Sequence, residues 1–286
     1  RIAMWRNTIN KGTNILWYRQ SARSWNEALP LGNGRIGVMI FGGAGHERIA
    51  LNEDTLWTGL PAYHNQPDAQ GAFQRARELA AEGKLKEAQE ILEKDFTGRP
   101  SEIYLPLGDV WIDFPAKESP ETYRRELDLK SAVHKVCYRQ QDTIYERTAF
   151  VSYPDQVLVL KIRGSKPESV DCRIGLRTQL KANIVVNQQS IEMEGRCPTT
   201  TIRRGEGQEK AQQVYEEAPE KQGIRFLCRI QLCLKNGSCQ EIGNALEVTG
   251  ADQVLILLAV RTSFNGWNKH PVLEGKEYRL KAALDI

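Results

Sequence analysis

Residues 25–59 read WNEALPLGNGRIGVMIFGGAGHERIALNEDTLWTG, and the period of their apolar positions decides the fold. Ile36, Val38 and Ile40 alternate with Arg35, Gly37 and Met39, and Ile49 and Leu51 resume the alternation after Gly42-Gly43-Ala44-Gly45. A period of two on both sides of a glycine-rich turn predicts a β-hairpin. Gly32, Gly34 and Gly37 before and inside the first strand predict a turn with positive φ or a close backbone approach. The second strand runs out into Asn52-Glu53-Asp54-Thr55-Leu56-Trp57, which gathers two carboxylates, an amide and an indole at a strand end. This is the candidate functional stretch.

The same period recurs along the chain. Ile15 to Tyr18 reads as a short strand, Val110, Ile112 and Phe114 alternate, and so do Tyr145, Arg147 and Ala149. Ile224, Phe226, Cys228, Ile230, Leu232 and Leu234 fall on one face of the strongest strand, and Asn236-Gly237 after it predicts a two-residue hairpin turn. In that hairpin Cys239 faces away from Cys233, and Cys228 lies roughly 16 Å from Cys233, so no disulfide is expected among them. The continuous apolar run from Val254 to Val260 predicts a strand covered on both faces. One excursion departs from the period. Ala69, Ala72, Phe73, Ala76, Leu79 and Ala80, then Leu85, Ala88, Ile91 and Leu92, recur at helical spacing behind Asp68 as cap, predicting a two-helix insertion over about 69–95 packed on the sheets. Residues 1–14 are expected to cross the surface, and the charged stretch 204–222 to form a long mobile loop. Strands without intervening helices predict a mainly β fold, a large antiparallel β-sandwich (a super-sandwich) carrying that insertion.

The 286 residues are enough to bury a core without disulfides or metal. With 39 basic and 36 acidic residues the charge is nearly balanced and the basic residues are scattered, which argues against nucleic acid as a partner. No apolar run reaches the ~18 residues of a membrane-spanning helix. The six cysteines form no CxxC pair and read as free thiols, and His46, His64, His134 and His270 are far apart, so neither a metal nor a cofactor is expected. Arg1 follows neither an initiator Met nor an apolar leader, so an export signal is expected to have been removed or never present.

WNEALPLGNGRIGVMIFGG followed by LNEDTLWTG resembles the start of the family-95 glycoside hydrolases, inverting α-L-fucosidases of which some prefer α-L-galactosides. EGKLKEAQEIL, YLPLGDVWIDF, YRRELDL, YERTAFVSYPDQVLVLKI and RTSFNGW continue the resemblance in order over nearly the whole chain. The resemblance implies that residues 1–268 are the family's N-terminal β-sandwich domain. It implies that 269–286, where GKEYRLKAALDI reads as the start of a helix, begin a helical linker to a catalytic (α/α)6 barrel that holds the family's catalytic acid and its water-activating Asp and Asn. The implied partners are that barrel of the same parent chain and a fucosylated glycan as the parent's substrate, and the implied location is exported, periplasmic or extracellular.

No residue here is expected to be catalytic. Inverting hydrolysis needs two carboxyl groups roughly 6.5–9.5 Å apart across the scissile bond. Glu53 and Asp54 are neighbours on a strand and point to opposite faces. Asn33, Arg35, Asn52, Glu53, Trp57 and Trp267 are the candidate substrate-rim or inter-domain residues. The indoles offer flat faces to a sugar or packing surface to a neighbouring domain, and the polar side chains offer hydrogen bonds to sugar hydroxyls or to turn backbone. Three readings stand: a non-catalytic domain of a fucosidase, a stand-alone carbohydrate-binding module, and a small hydrolase using Glu53 or Asp54.

Overall fold

A computed structural model describes residues 14–62, 66–98, 101–115, 120–202 and 212–286. In chain order the elements are β1 (Ile15–Tyr18), β2 (Leu29–Gly32), β3 (Ile36–Ile40), β4 (His46–Glu53), α1 (Ala69–Ala81), α2 (Leu85–Ile91), β5 (Gly108–Asp113), β6 (Thr122–Asp128), β7 (Val133–Gln140) and β8 (Thr143–Val151). There follow β9 (Val157–Gly164), β10 (Val170–Arg177), β11 (Lys181–Asn187), β12 (Ser190–Arg196), β13 (Thr200–Ile202), β14 (Gln212–Val214), β15 (Arg225–Lys235), β16 (Ser238–Ile242), β17 (Ala245–Ala251), β18 (Gln253–Thr262) and α3 (Arg279–Leu284). Two antiparallel sheets face each other. One has nine strands in the order β1-β6-β7-β8-β9-β18-β15-β12-β11, the other seven in the order β16-β17-β10-β5-β4-β3-β2, and β13 and β14 pair apart from both. The expected mainly β sandwich with two helices is the observed architecture.

The hairpin at residues 25–59 forms with Val38 opposite Leu51 and Ile40 opposite Ile49, and the alternation puts Ile36, Val38, Ile40, Ile49 and Leu51 in the core. Gly34 takes a φ of 92° in the turn before β3. The strongest strand is β15, whose Phe226, Cys228, Ile230 and Leu232 are wholly buried. Each such apolar side chain contributes about 1.5–3 kcal/mol.

Several expectations are corrected. Asn236-Gly237 does not close a hairpin, because β15 is already bonded on both edges, by β12 and β18. The chain crosses instead to the edge of the other sheet, where β16 pairs with β17. Asn236 at φ 58° and Gly237 at φ 73° make the sharp crossing, and a Cβ on Gly237 would stand 2.6 Å from Ala251 N and Thr249 O. Cys233 and Cys239 are free thiols, but in different sheets rather than across one hairpin. Along β18, Val254, Ile256 and Leu258 are buried, and on the other face Ala259 is buried while Leu255 and Leu257 keep partial exposure, so the second face is covered only in part. Helices α1 and α2 pack chiefly on each other and on the wider turn Leu92–Phe96, with Phe73 against Phe96 at 5.6 Å. Only Ala72, Ala76 and Ala88 are buried there. Asp68 makes no capping hydrogen bond and pairs with Arg75 at 3.0 Å. Within 204–222, Gln212–Val214 is a strand, while residues 203–211, like residues 1–13, lie outside the described residues.

The core is polar where the hairpin turn meets the larger sheet. Backbone carbonyls of Gly42, Gly43 and Ala44 accept from Tyr123 Oη (2.5 Å), Arg147 Nη2 (2.6 Å) and Tyr138 Oη (3.3 Å). Glu47, 2% exposed, accepts from the N–H groups of Gly42 (2.7 Å) and Arg48 (3.0 Å) and lies 3.1 Å from the Arg147 guanidinium. Burying two charges is tolerable only when they are paired and hydrogen-bonded; Arg147 is met by Glu47 and Gly43, with its Nε left without a hydrogen-bond partner. His134, buried beside them with no partner for Nε2, is held neutral: burial first, then the charges of Arg147 and Arg125, push its pKa down to about 3.

Candidate functional site

The candidate residues gather at one end of the sandwich, and the register shows how. Ile36 at the start of β3 sits opposite Glu53 at the end of β4, and on the facing sheet Thr262 at the end of β18 sits opposite Phe226 at the start of β15. Arg35 bridges the two sheets. Its Nη1 donates to Val260 O (2.5 Å) and lies 3.4 Å from Glu53 Oε1, while Nε donates to Gln156 Oε1 (2.7 Å). Asn33 is spent on backbone: its Oδ1 accepts from the N–H groups of Arg35 (3.0 Å) and Ile36 (2.8 Å), and its Nδ2 donates to Ser152 O (2.8 Å).

Glu53 is 2% exposed. Its Oε2 accepts from Thr55 N (2.8 Å) and Thr55 Oγ1 (2.6 Å), and Thr55 Oγ1 meets Thr262 Oγ1 at 2.5 Å. Burial raises its pKa above the usual carboxylate range, against the pull of the Thr55 bonds and of Arg35. Asp54 is exposed, but in the turn that follows β4 rather than as the strand neighbour of Glu53 that the sequence predicts. Asn52 is half-buried across from Gly37. The network extends to the last helix. Arg261 holds Asp285 through two bonds of 2.7 and 2.9 Å, and Tyr278 and Ala282 pack on Leu227 of the outer sheet face.

Beside this network opens a cleft of about 420 Å³ lined by Trp57, Pro61, Phe264 and Trp267 with Asp54 and Glu102 among its polar groups. The structure thus brings Trp57 and Trp267 together across 210 residues of sequence. Trp57 is 41% and Trp267 73% exposed. Trp57 leans on Tyr104 with ring centroids 5.2 Å apart and donates from Nε1 to Asp54 O (3.0 Å), which leaves one ring face to the cleft. Glu102 accepts from Thr58 Oγ1 at 2.5 Å and anchors the loop. Among the described residues no group of three His, Cys, Asp or Glu is placed to hold a metal.

Sequence reasoning missed Tyr104 and Glu102, which lie in a loop without period, and the Arg261–Asp285 pair, which joins β18 to α3.

Residues 16–267 match the family described as glycosyl hydrolase family 65, N-terminal domain. The chain belongs to this family. It is 33% identical over 260 residues to the protein named Alpha-L-fucosidase 2 of Arabidopsis thaliana, covering 88% of this chain and 30% of that one. It is 33% identical over 180 residues to Probable alpha-fucosidase A of Aspergillus niger, covering 59% of this chain and 22% of the relative. A protein of the same name from Aspergillus oryzae is 31% identical over 164 residues, covering 53% and 22%. The chain therefore spans less than a third of the length of these relatives. It is homologous to these proteins named as α-fucosidases and matches the N-terminal domain of a glycoside hydrolase family.

Proposed function

We propose that this chain is the non-catalytic N-terminal domain of an inverting α-L-fucosidase that cleaves terminal α-L-fucosides from glycans, and that its cleft end meets the catalytic segment of the same parent chain. The similarity over 260 residues to Alpha-L-fucosidase 2 carries the reading. The geometry supports it. Glu53, 2% exposed and closed off by Thr55 and Arg35, is not open to a substrate, and Glu102 at the cleft accepts from Thr58. An exposed aromatic cleft at the strand ends is a surface suited to a neighbouring domain. On this reading the parent enzyme is an exported protein, periplasmic or extracellular.

The test is turnover of a fucosylated oligosaccharide by this chain and by its longer parent. Turnover by the parent alone supports the reading. Turnover by the chain that disappears in Glu53→Gln or Asp54→Asn establishes the small-hydrolase alternative instead. One observation favours a second reading, a carbohydrate-binding module: both indoles of the cleft offer open faces to a sugar. Saturable binding of the free glycan by the chain alone, lost in Trp57→Ala, would support it.

A further inference from the structure

Three neighbouring strands place three cations in one row. Lys181 of β11 stands opposite Arg196 of β12, and Arg196 opposite Arg225 of β15. Like charges directly opposite one another on a sheet repel, so a row of three asks for an anion. The row lies on the outer face of the nine-stranded sheet, the face on which Leu227 carries Tyr278. Beside it the chain entering α3 lays Tyr278 and Arg279, forming an open surface cavity of about 370 Å³ that Lys181, Arg196, Arg225 and Arg279 line together with Glu194.

The chain satisfies these cations only in part. Glu217, an exposed residue, bridges the first two through one oxygen, 2.7 Å from Lys181 Nζ and 2.7 Å from Arg196 Nη2. Glu194 takes Arg279 Nε at 2.6 Å and Tyr278 Oη at 2.7 Å. Arg225 donates to the amide oxygen of Gln222 at 2.7 Å and meets no carboxylate among the described residues. Four cations face two carboxylates, and the third cation of the row has a neutral partner.

We propose that this cavity binds an oxyanion, a sulfate or phosphate group, at the row Lys181, Arg196 and Arg225, with Arg279 closing over it and Glu217 occupying part of the site as a displaceable internal carboxylate. Guanidinium forks suit the paired oxygens of such a group. The inference does not depend on the fucosidase reading.

The experiment is calorimetric titration of the chain with sodium sulfate and with inorganic phosphate at fixed ionic strength set by chloride, together with the melting temperature in each. Saturable binding that falls at least tenfold in Arg225→Gln, and that strengthens in Glu217→Gln because Lys181 and Arg196 are released, supports the site. Lys181→Gln, at an exposed position, gives the same weakening without risk to the fold. A melting-temperature rise that is unsaturable, or equal in the wild type and Lys181→Gln, is the general effect of excluded salts and overturns the proposal, as does no binding. A sulfated monosaccharide binding more tightly than sulfate identifies a glycan-borne group as the ligand, and equal affinity identifies the free anion.

Discussion

Two glutamate–arginine pairs, one between the sheets and one within a single hairpin, behave differently. Glu47 and Arg147 are each 2% exposed, and their hydrogen bonds and ring contacts go to a turn carbonyl, backbone N–H groups and aromatic rings. Glu53 is as buried, but its partner Arg35 is 19% exposed at the strand ends, and the chain continues from there to Arg261, Asp285 and the aromatic cleft. The first pair locks a glycine-rich turn into the core. The second positions loops around an open surface. Burial of a charged group alone therefore does not mark a site; what its partners do next is the informative part.

The largest effect is expected inside. Arg147→Met leaves Glu47 buried and unpaired and should cost about 3–5 kcal/mol in urea unfolding, whereas Arg35→Met, which frees backbone and amide acceptors near solvent, should cost about 1–3 kcal/mol. Equal losses would erase the distinction between the two regions.

Acid sharpens it next. His134 is held near pKa 3 in the folded protein and titrates near 6.5 when unfolded, so between these values the unfolded state binds the extra proton. Stability should fall as pH falls through that window, by up to about 1.4 kcal/mol per pH unit. In His134→Leu that part of the slope should vanish, as unfolding free energies at pH 7 and 4.5 would show.

Much of this was legible in the sequence. The alternation through Ile36, Val38 and Ile40 and through Phe226 to Leu232 named the core faces of β3 and β15, because period two maps directly onto the two sides of a strand. The buried charges were encoded in the same way: carrying the period of Ile49 and Leu51 two residues outward in each direction lands on Glu47 and Glu53, both buried. Arg147 sits in the alternation between Tyr145 and Ala149. The partner of Glu47 was not legible, since packing β4 against Arg147 of β8 is a fact of topology, whereas Glu53 pairs with Arg35 of its own hairpin. The same limit defeated the Asn236-Gly237 hairpin. Local turn chemistry was read correctly, but the edges of β15 were already taken by strands distant in sequence. At the cleft, Trp57 and Trp267 were identifiable one by one, and only the fold joins them.

The smallest effects on stability belong to the cleft. Trp267→Ala removes an exposed ring and should change unfolding free energy by no more than about 0.5 kcal/mol, while lowering turnover by the longer parent. A large loss of stability in the isolated chain would make this tryptophan part of the core instead.

The most direct measurement is hydroxyl-radical footprinting of the tryptophans, read by mass spectrometry, in the isolated chain and in the longer parent. Trp57 and Trp267 should be oxidised readily in the chain alone and protected in the parent, with Trp25, exposed at the far end of β2, as the unprotected reference. Equal oxidation of Trp57 and Trp267 in both proteins would contradict the assignment of the cleft as the surface that meets the catalytic segment.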